Sequence, residues 1–160
     1  MGYRRKAREL GLQALYYMDM NGSINEEALA LFAGIHPPDE KVAPYFSRLV
    51  EGVMDHREII DRTIHQHSEH WKVSRMACVD RNILRIAVFE LLWCEDVPPK
   101  VSINEAIDIG KRFGTDDSGA FINGILDSIR NAMDKNELII PDNSVRTMKP
   151  IENKEAGYDR

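Results

Sequence analysis

From Val79 to Trp93 the chain is apolar in almost every helical direction, through Val79, Ile83, Leu84, Ile86, Ala87, Val88, Phe89, Leu91, Leu92 and Trp93. Such a run is too long for an ordinary strand. It is also too apolar all round for a helix lying on a surface. The reading is a central helix covered on most sides, so the rest of the chain must supply the cover.

That cover reads as helical too. Ala7, Leu10, Gly11, Ala14, Leu15 and Met18 recur at helical spacing and predict a helix over about residues 4–20, ended by Asn21-Gly22. A short helix follows near Asn25–Ala33, and His36-Pro37-Pro38 is a loop, because a residue before proline avoids the helical region. Asp39 caps a third helix running to about Met54, with Val42, Phe46, Leu49, Val50 and Val53 as its stripe. Ile59, Ile60 and Ile64 mark a separate fourth stretch. After the central helix, Pro98-Pro99 marks a stop, and Ser102-Ile103-Asn104-Glu105 has the form of a capping box. Gly114 suits a left-handed helix end, and Thr115 caps a last helix with Ile122, Ile125, Leu126, Ile129 and Met133 on its apolar face. The expectation is one all-α domain over residues 1–140, with an aperiodic, flexible tail over 141–160.

Composition sets the remaining bounds. Hydrophobic residues are 43% and charged residues 29% of the 160, values ordinary for a soluble globular domain. No apolar run reaches the ~18 residues of a membrane span, and the N-terminus lacks the apolar stretch of a secretory signal, so a cytoplasmic protein is expected. On one helix Cys78 and Cys94 would lie about 24 Å apart, beyond any disulfide, and read as free thiols.

Net charge is -5, yet Arg4, Arg5, Lys6 and Arg8 sit in the first eight residues with no acid among them. The rest of the chain holds 17 basic against 26 acidic side chains. A row of guanidinium groups suits phosphates, which arginine binds bidentately. From spacing alone, a solvated helix start and a nucleic-acid contact both remain open. Tyr3 and Tyr16 flank the row, and both stacking on unpaired bases and half-burial against the core stay open for them. His65 and Glu69 share a helix face, whereas His67 and His70 fall on another, which splits the ligands a metal would need and leaves metal binding undecided. No phosphate loop, nucleophile elbow or paired-carboxylate arrangement is present, so neither an enzyme nor a cofactor is expected.

Several blocks resemble one family. Arg4-Arg5-Lys6-Ala7-Arg8-Glu9, followed by Gln13-Ala14-Leu15-Tyr16, is similar to the first helix of the NusB transcription antitermination factors. Val79-Asp80-Arg81-Asn82-Ile83-Leu84-Arg85-Ile86-Ala87-Val88-Phe89-Glu90-Leu91 resembles their central helix. Val101 to Ile107, Lys111-Arg112-Phe113-Gly114, and Asp117-Ser118 through Phe121-Ile122-Asn123-Gly124-Ile125-Leu126-Asp127 resemble their C-terminal signature. The resemblance covers about residues 4–130. It implies about six to seven helices in two sub-bundles, no catalysis, and binding of single-stranded boxA-type RNA together with the ribosomal protein NusE. The RNA polymerase elongation complex would be reached indirectly.

Carried over by position, Arg4, Arg5, Lys6 and Arg8 would contact RNA. Tyr16 and Phe121 would lie along the RNA path, Asp117 would sit near it and weaken it by repulsion, and Asp80 would face NusE. The alternatives are a helical homodimer that buries the arginine face, or an accessory RNA-binding domain related to rRNA cytosine methyltransferases.

Overall fold

Every residue from Asn82 to Trp93 is buried, and that segment forms the axis of the molecule. The computed structural model describes residues 2–69 and 71–138. The 141–160 tail expectation and His70 therefore lie outside the described residues. Among the described residues there are six α-helices: α1 (Tyr3–Met20), α2 (Glu26–Ile35), α3 (Ala43–Gln66), α4 (Cys78–Trp93), α5 (Pro99–Phe113) and α6 (Ser118–Asp134). A single turn of 3₁₀ helix at Val73–Arg75 precedes α4. No strand occurs among the described residues. Helices α1–α3 pack on one another and α4–α6 pack on one another, with α4 touching α1, α3, α5 and α6. The all-helical, two-sub-bundle expectation holds.

Local chemistry explains the boundaries. Gly22 ends α1 in the left-handed region at φ 68°, and Ser23 N–H closes back onto the Met18 carbonyl. Asn25 caps α2 by accepting from Ala28 N–H at 2.8 Å.

Four boundary expectations are corrected. The predicted third and fourth helices are one helix, α3, bent at His56, where the backbone leaves helical geometry. Its start takes two turn-closing bonds onto the Asp39 carbonyl rather than a side-chain cap. Helix α4 ends at Trp93 and α5 begins at Pro99, whose missing N–H costs nothing at a helix start. Ser102 and Glu105 therefore lie inside α5, both buried, and form no capping box. Thr115 takes part in a loop network with Ser118 instead of capping α6.

Close approaches account for three glycines. A Cβ at Gly52 would overlap the Phe89 ring, so α3 and α4 meet there backbone to ring. Gly110 is pressed by Ile122 in the same way, where α5 meets α6. Gly114 is not left-handed, at φ -96°, but a Cβ there would strike the Ser118 side chain. Gly124, by contrast, faces open space and brings no helices together.

Candidate nucleic-acid interface

The basic start of α1 divides between two faces. At about 100° per residue, Arg4 and Arg8 fall in the same arc as Ala7, Gly11, Leu15 and Met18. Both turn inward. Arg8 is 1% exposed and grips Glu90 through three bonds of 2.8–3.2 Å, with a fourth to Glu105 at 3.3 Å. Arg4 is buried and shares Asp96 with Arg48. All three guanidiniums stand within 5.8 Å of the Tyr45 ring, whose hydroxyl donates to Glu90. Burial, reinforced by the Glu90 charge, pushes the Tyr45 hydroxyl well above its ordinary pKa, so it remains a donor.

These contacts correct the expectation that Arg4 and Arg8 reach RNA phosphates. They are the counter-ions of Glu90 and Glu105, carboxylates buried on α4 and α5 that could not be buried unpaired, and of the half-buried Asp96 in the turn between them.

Arg5 and Lys6 point outward. Arg5 is half-buried and bonds Glu105 and Asp108, and its hydrogen bond to Glu105 holds the guanidinium pKa above its ordinary value despite partial burial. Lys6 is exposed, with no acidic partner among the described residues.

Two further cations, missed from the sequence, stand beside them at the end of α5. Arg112 bonds Glu9 of α1 at 2.8 Å and lies over the Phe113 ring. Lys111 is exposed and lays its stem across Gly119, 3.1–3.2 Å from where a Cβ would stand. The signal for this pair was the lysine-arginine step at a helix end.

The start of α6 leads into a cavity of about 220 Å³ lined by Trp71, Arg75, Met76, Ala77, Asp80, Asp117 and Phe121. Asp117 is exposed and Phe121 half-buried. Asp80, in the first turn of α4, is 8% exposed, and its Oδ1 accepts no hydrogen bond. The sequence assigned Asp80 to one surface and Asp117 and Phe121 to another, but the fold gathers all three at one cavity. Tyr16 is 41% exposed, one turn before Asp19. The Asp19 carboxylate holds Arg81 and Arg85 of α4 at 2.8 and 3.0 Å. Trp71 and Arg75 were also missed; the signal was a tryptophan isolated in a polar stretch.

His65 is exposed, while His67 turns away to Ser128 at 2.8 Å. Both cysteines are free, and burial pushes the Cys94 thiol far up in pKa. Among the described residues, no helix is long and apolar enough to cross a membrane.

Known proteins share this fold. Residues 5–131 match the NusB family. The chain is 56% identical over 137 residues to the transcription antitermination protein NusB of Desulfatibacillum aliphaticivorans, covering 86% of this chain and 96% of that protein. It is 45% identical to the same-named protein of Myxococcus xanthus, over 84% of this chain and 99% of the relative. Among solved structures it is similar to T. maritima NusB, with a TM-score of 0.73 at 35% identity over 88% of this chain and 95% of that one. It is also similar to a chain from the crystal structure of antitermination factors NusB and NusE in complex with dsRNA. That match has a TM-score of 0.72 at 29% identity over 81% of this chain and 97% of that one.

Proposed function

The chain belongs to the NusB family, and from that premise we propose that it is a non-catalytic RNA-binding adaptor in transcription antitermination of ribosomal RNA operons. It binds boxA-type single-stranded RNA together with NusE, acts in the cytoplasm, and meets the RNA polymerase elongation complex through that assembly. The observation that carries the reading is the match, over 81% of this chain, to a structure of NusB and NusE in complex with double-stranded RNA.

The geometry supports a particular path. RNA phosphates meet Arg5 and Lys6, then Lys111 and Arg112, which the Arg5–Asp108 and Arg112–Glu9 pairs hold against each other. Partial neutralisation by Asp108 and Glu9 keeps the grip moderate. The bases then reach Phe121, with Asp117 beside it opposing a tight complex by like-charge repulsion. Tyr16 offers a further exposed ring at the end of α1. Asp80, a buried carboxylate oxygen without a donor, supplies an acceptor for a cationic side chain of NusE. Two modest contacts joined on one RNA become tight through effective concentration.

The test is the salt dependence of RNA affinity, read by fluorescence anisotropy. Three to four single-strand phosphate contacts give a log–log slope of roughly -2 to -3, and removing Lys6 and Lys111 together makes it shallower by about 1.4. A flat salt response would refute the cationic path.

A further inference from the structure

Beyond Phe121 lies a second cavity, of about 430 Å³, between the end of α3 and the outer face of α6. It shares Trp71 and Phe121 with the first, so the two rings stand between the cavities. Trp71 is 53% exposed, the indole of an irregular segment rather than of a packed helix. Its backbone is nonetheless fixed, since Ser68 Oγ–H donates to the Trp71 carbonyl at 2.9 Å. The cavity floor is open at Gly124, where a side chain would meet nothing within 4 Å. Its far edge is polar: His67 Nδ1 and Ser128 Oγ are bonded at 2.8 Å. Among the described residues, Glu69 is the one acidic residue lining it.

We propose that this groove binds an unpaired nucleobase, one step further along the RNA than the base at Phe121, with Trp71 as its stacking face. The inference rests on the RNA-adaptor reading and extends it. A nucleobase presents two apolar faces and a polar edge, and the groove offers an exposed aromatic wall and hydroxyl and imidazole groups at its rim. Stacking on aromatic side chains tolerates any base. Lys72 and Arg75 are exposed on the same segment as Trp71, with no acidic partner among the described residues. They are placed to take the flanking phosphates, which favours RNA over an apolar or cationic peptide as occupant.

The two tryptophans make the test direct. Trp93 is fully buried, so a change in emission on adding RNA reports Trp71. The full chain is titrated with a boxA-type single-stranded RNA, with and without NusE, by tryptophan emission and by anisotropy. The expected result is saturable quenching with the anisotropy midpoint. Trp71→Ala should weaken RNA binding about tenfold, and Trp71→Phe should restore most of it. Gly124→Leu, which fills open space at an exposed helix position, should also weaken RNA binding. Circular dichroism melts check that each variant is folded.

If the RNA binds with the expected salt slope but leaves emission unchanged, and Trp71→Ala binds equally well, the subsite is refuted and the adaptor reading stands. If Trp71→Ala weakens NusE binding and leaves RNA affinity intact, the groove is a protein-docking surface and the proposal fails. If the native chain binds no RNA under either condition, the adaptor reading falls and the subsite with it.

Discussion

Arg8→Ala separates a structural arginine from an RNA-binding one. The substitution removes three hydrogen bonds to Glu90 and one to Glu105, at residues 1% and 0% exposed. Breaking one partner out of a buried ion pair costs about 3–5 kcal/mol, because the remaining charge stays buried. Here Glu90 keeps the Tyr45 hydroxyl and Glu105 keeps Arg5, which places the loss near the lower end, about 3 kcal/mol. For a chain of this size that is a fall in melting temperature of roughly 6–12 °C.

Thermal melts by circular dichroism read it directly. Adding Glu90→Gln to Arg8→Ala removes the orphaned charge and should recover part of the loss. At a temperature where the variant is folded, its RNA affinity should stay within about twofold of the native chain. A variant that melts like the native protein but has lost RNA would refute the inward placement of Arg8.

Acid should destabilise the fold in two steps. Burial holds the His56 and His67 pKa values below the ordinary histidine range. Their folded forms resist protonation, and stability is lost as pH falls below about 6.5. Burial opposes ionisation of Asp19 and Asp96, but Arg81 and Asn82 hold the first, and Arg48 the second, below the usual carboxylate range. Their contribution is present above about pH 4 and disappears as pH falls through the lower folded values. Melting temperatures measured against pH should therefore fall monotonically on acidification, and a maximum near pH 4 would contradict these assignments. Separately, Asp80→Lys should cost about 2–5 kcal/mol of NusE affinity, because the position is 8% exposed and its partner charge would be desolvated. Calorimetric titration of NusE into the folded variant checks it, and unchanged affinity would remove Asp80 from the interface.

The central helix was legible because nothing but burial explains an apolar run that faces every direction. The inward turn of Arg4 and Arg8 was legible in principle. Both lie at four-residue spacing on the line that continues into Leu15. Glu90, the one charged residue in the apolar run from Ile86 to Trp93, required a buried cation that only another element could bring. What hid it is that pairing across 82 positions of chain is a tertiary fact, invisible to local period. The bend at His56 was hidden for the same reason. Its ring stacks on Trp93 at 4.3 Å, and no local signal reports that contact. The candidate interface residues divide likewise. Lys6 is exposed, off the apolar stripe of α1, whereas the meeting of Asp80, Asp117, Phe121 and Trp71 depends on α4, α6 and an irregular segment converging.

The most direct test of the adaptor account is a fluorescence anisotropy titration of boxA-type RNA into the native chain, with and without saturating NusE. The account predicts measurable, salt-sensitive binding by the chain alone, tightened by at least tenfold when NusE is present. RNA affinity that is absent in both titrations, or that NusE leaves unchanged, would contradict it.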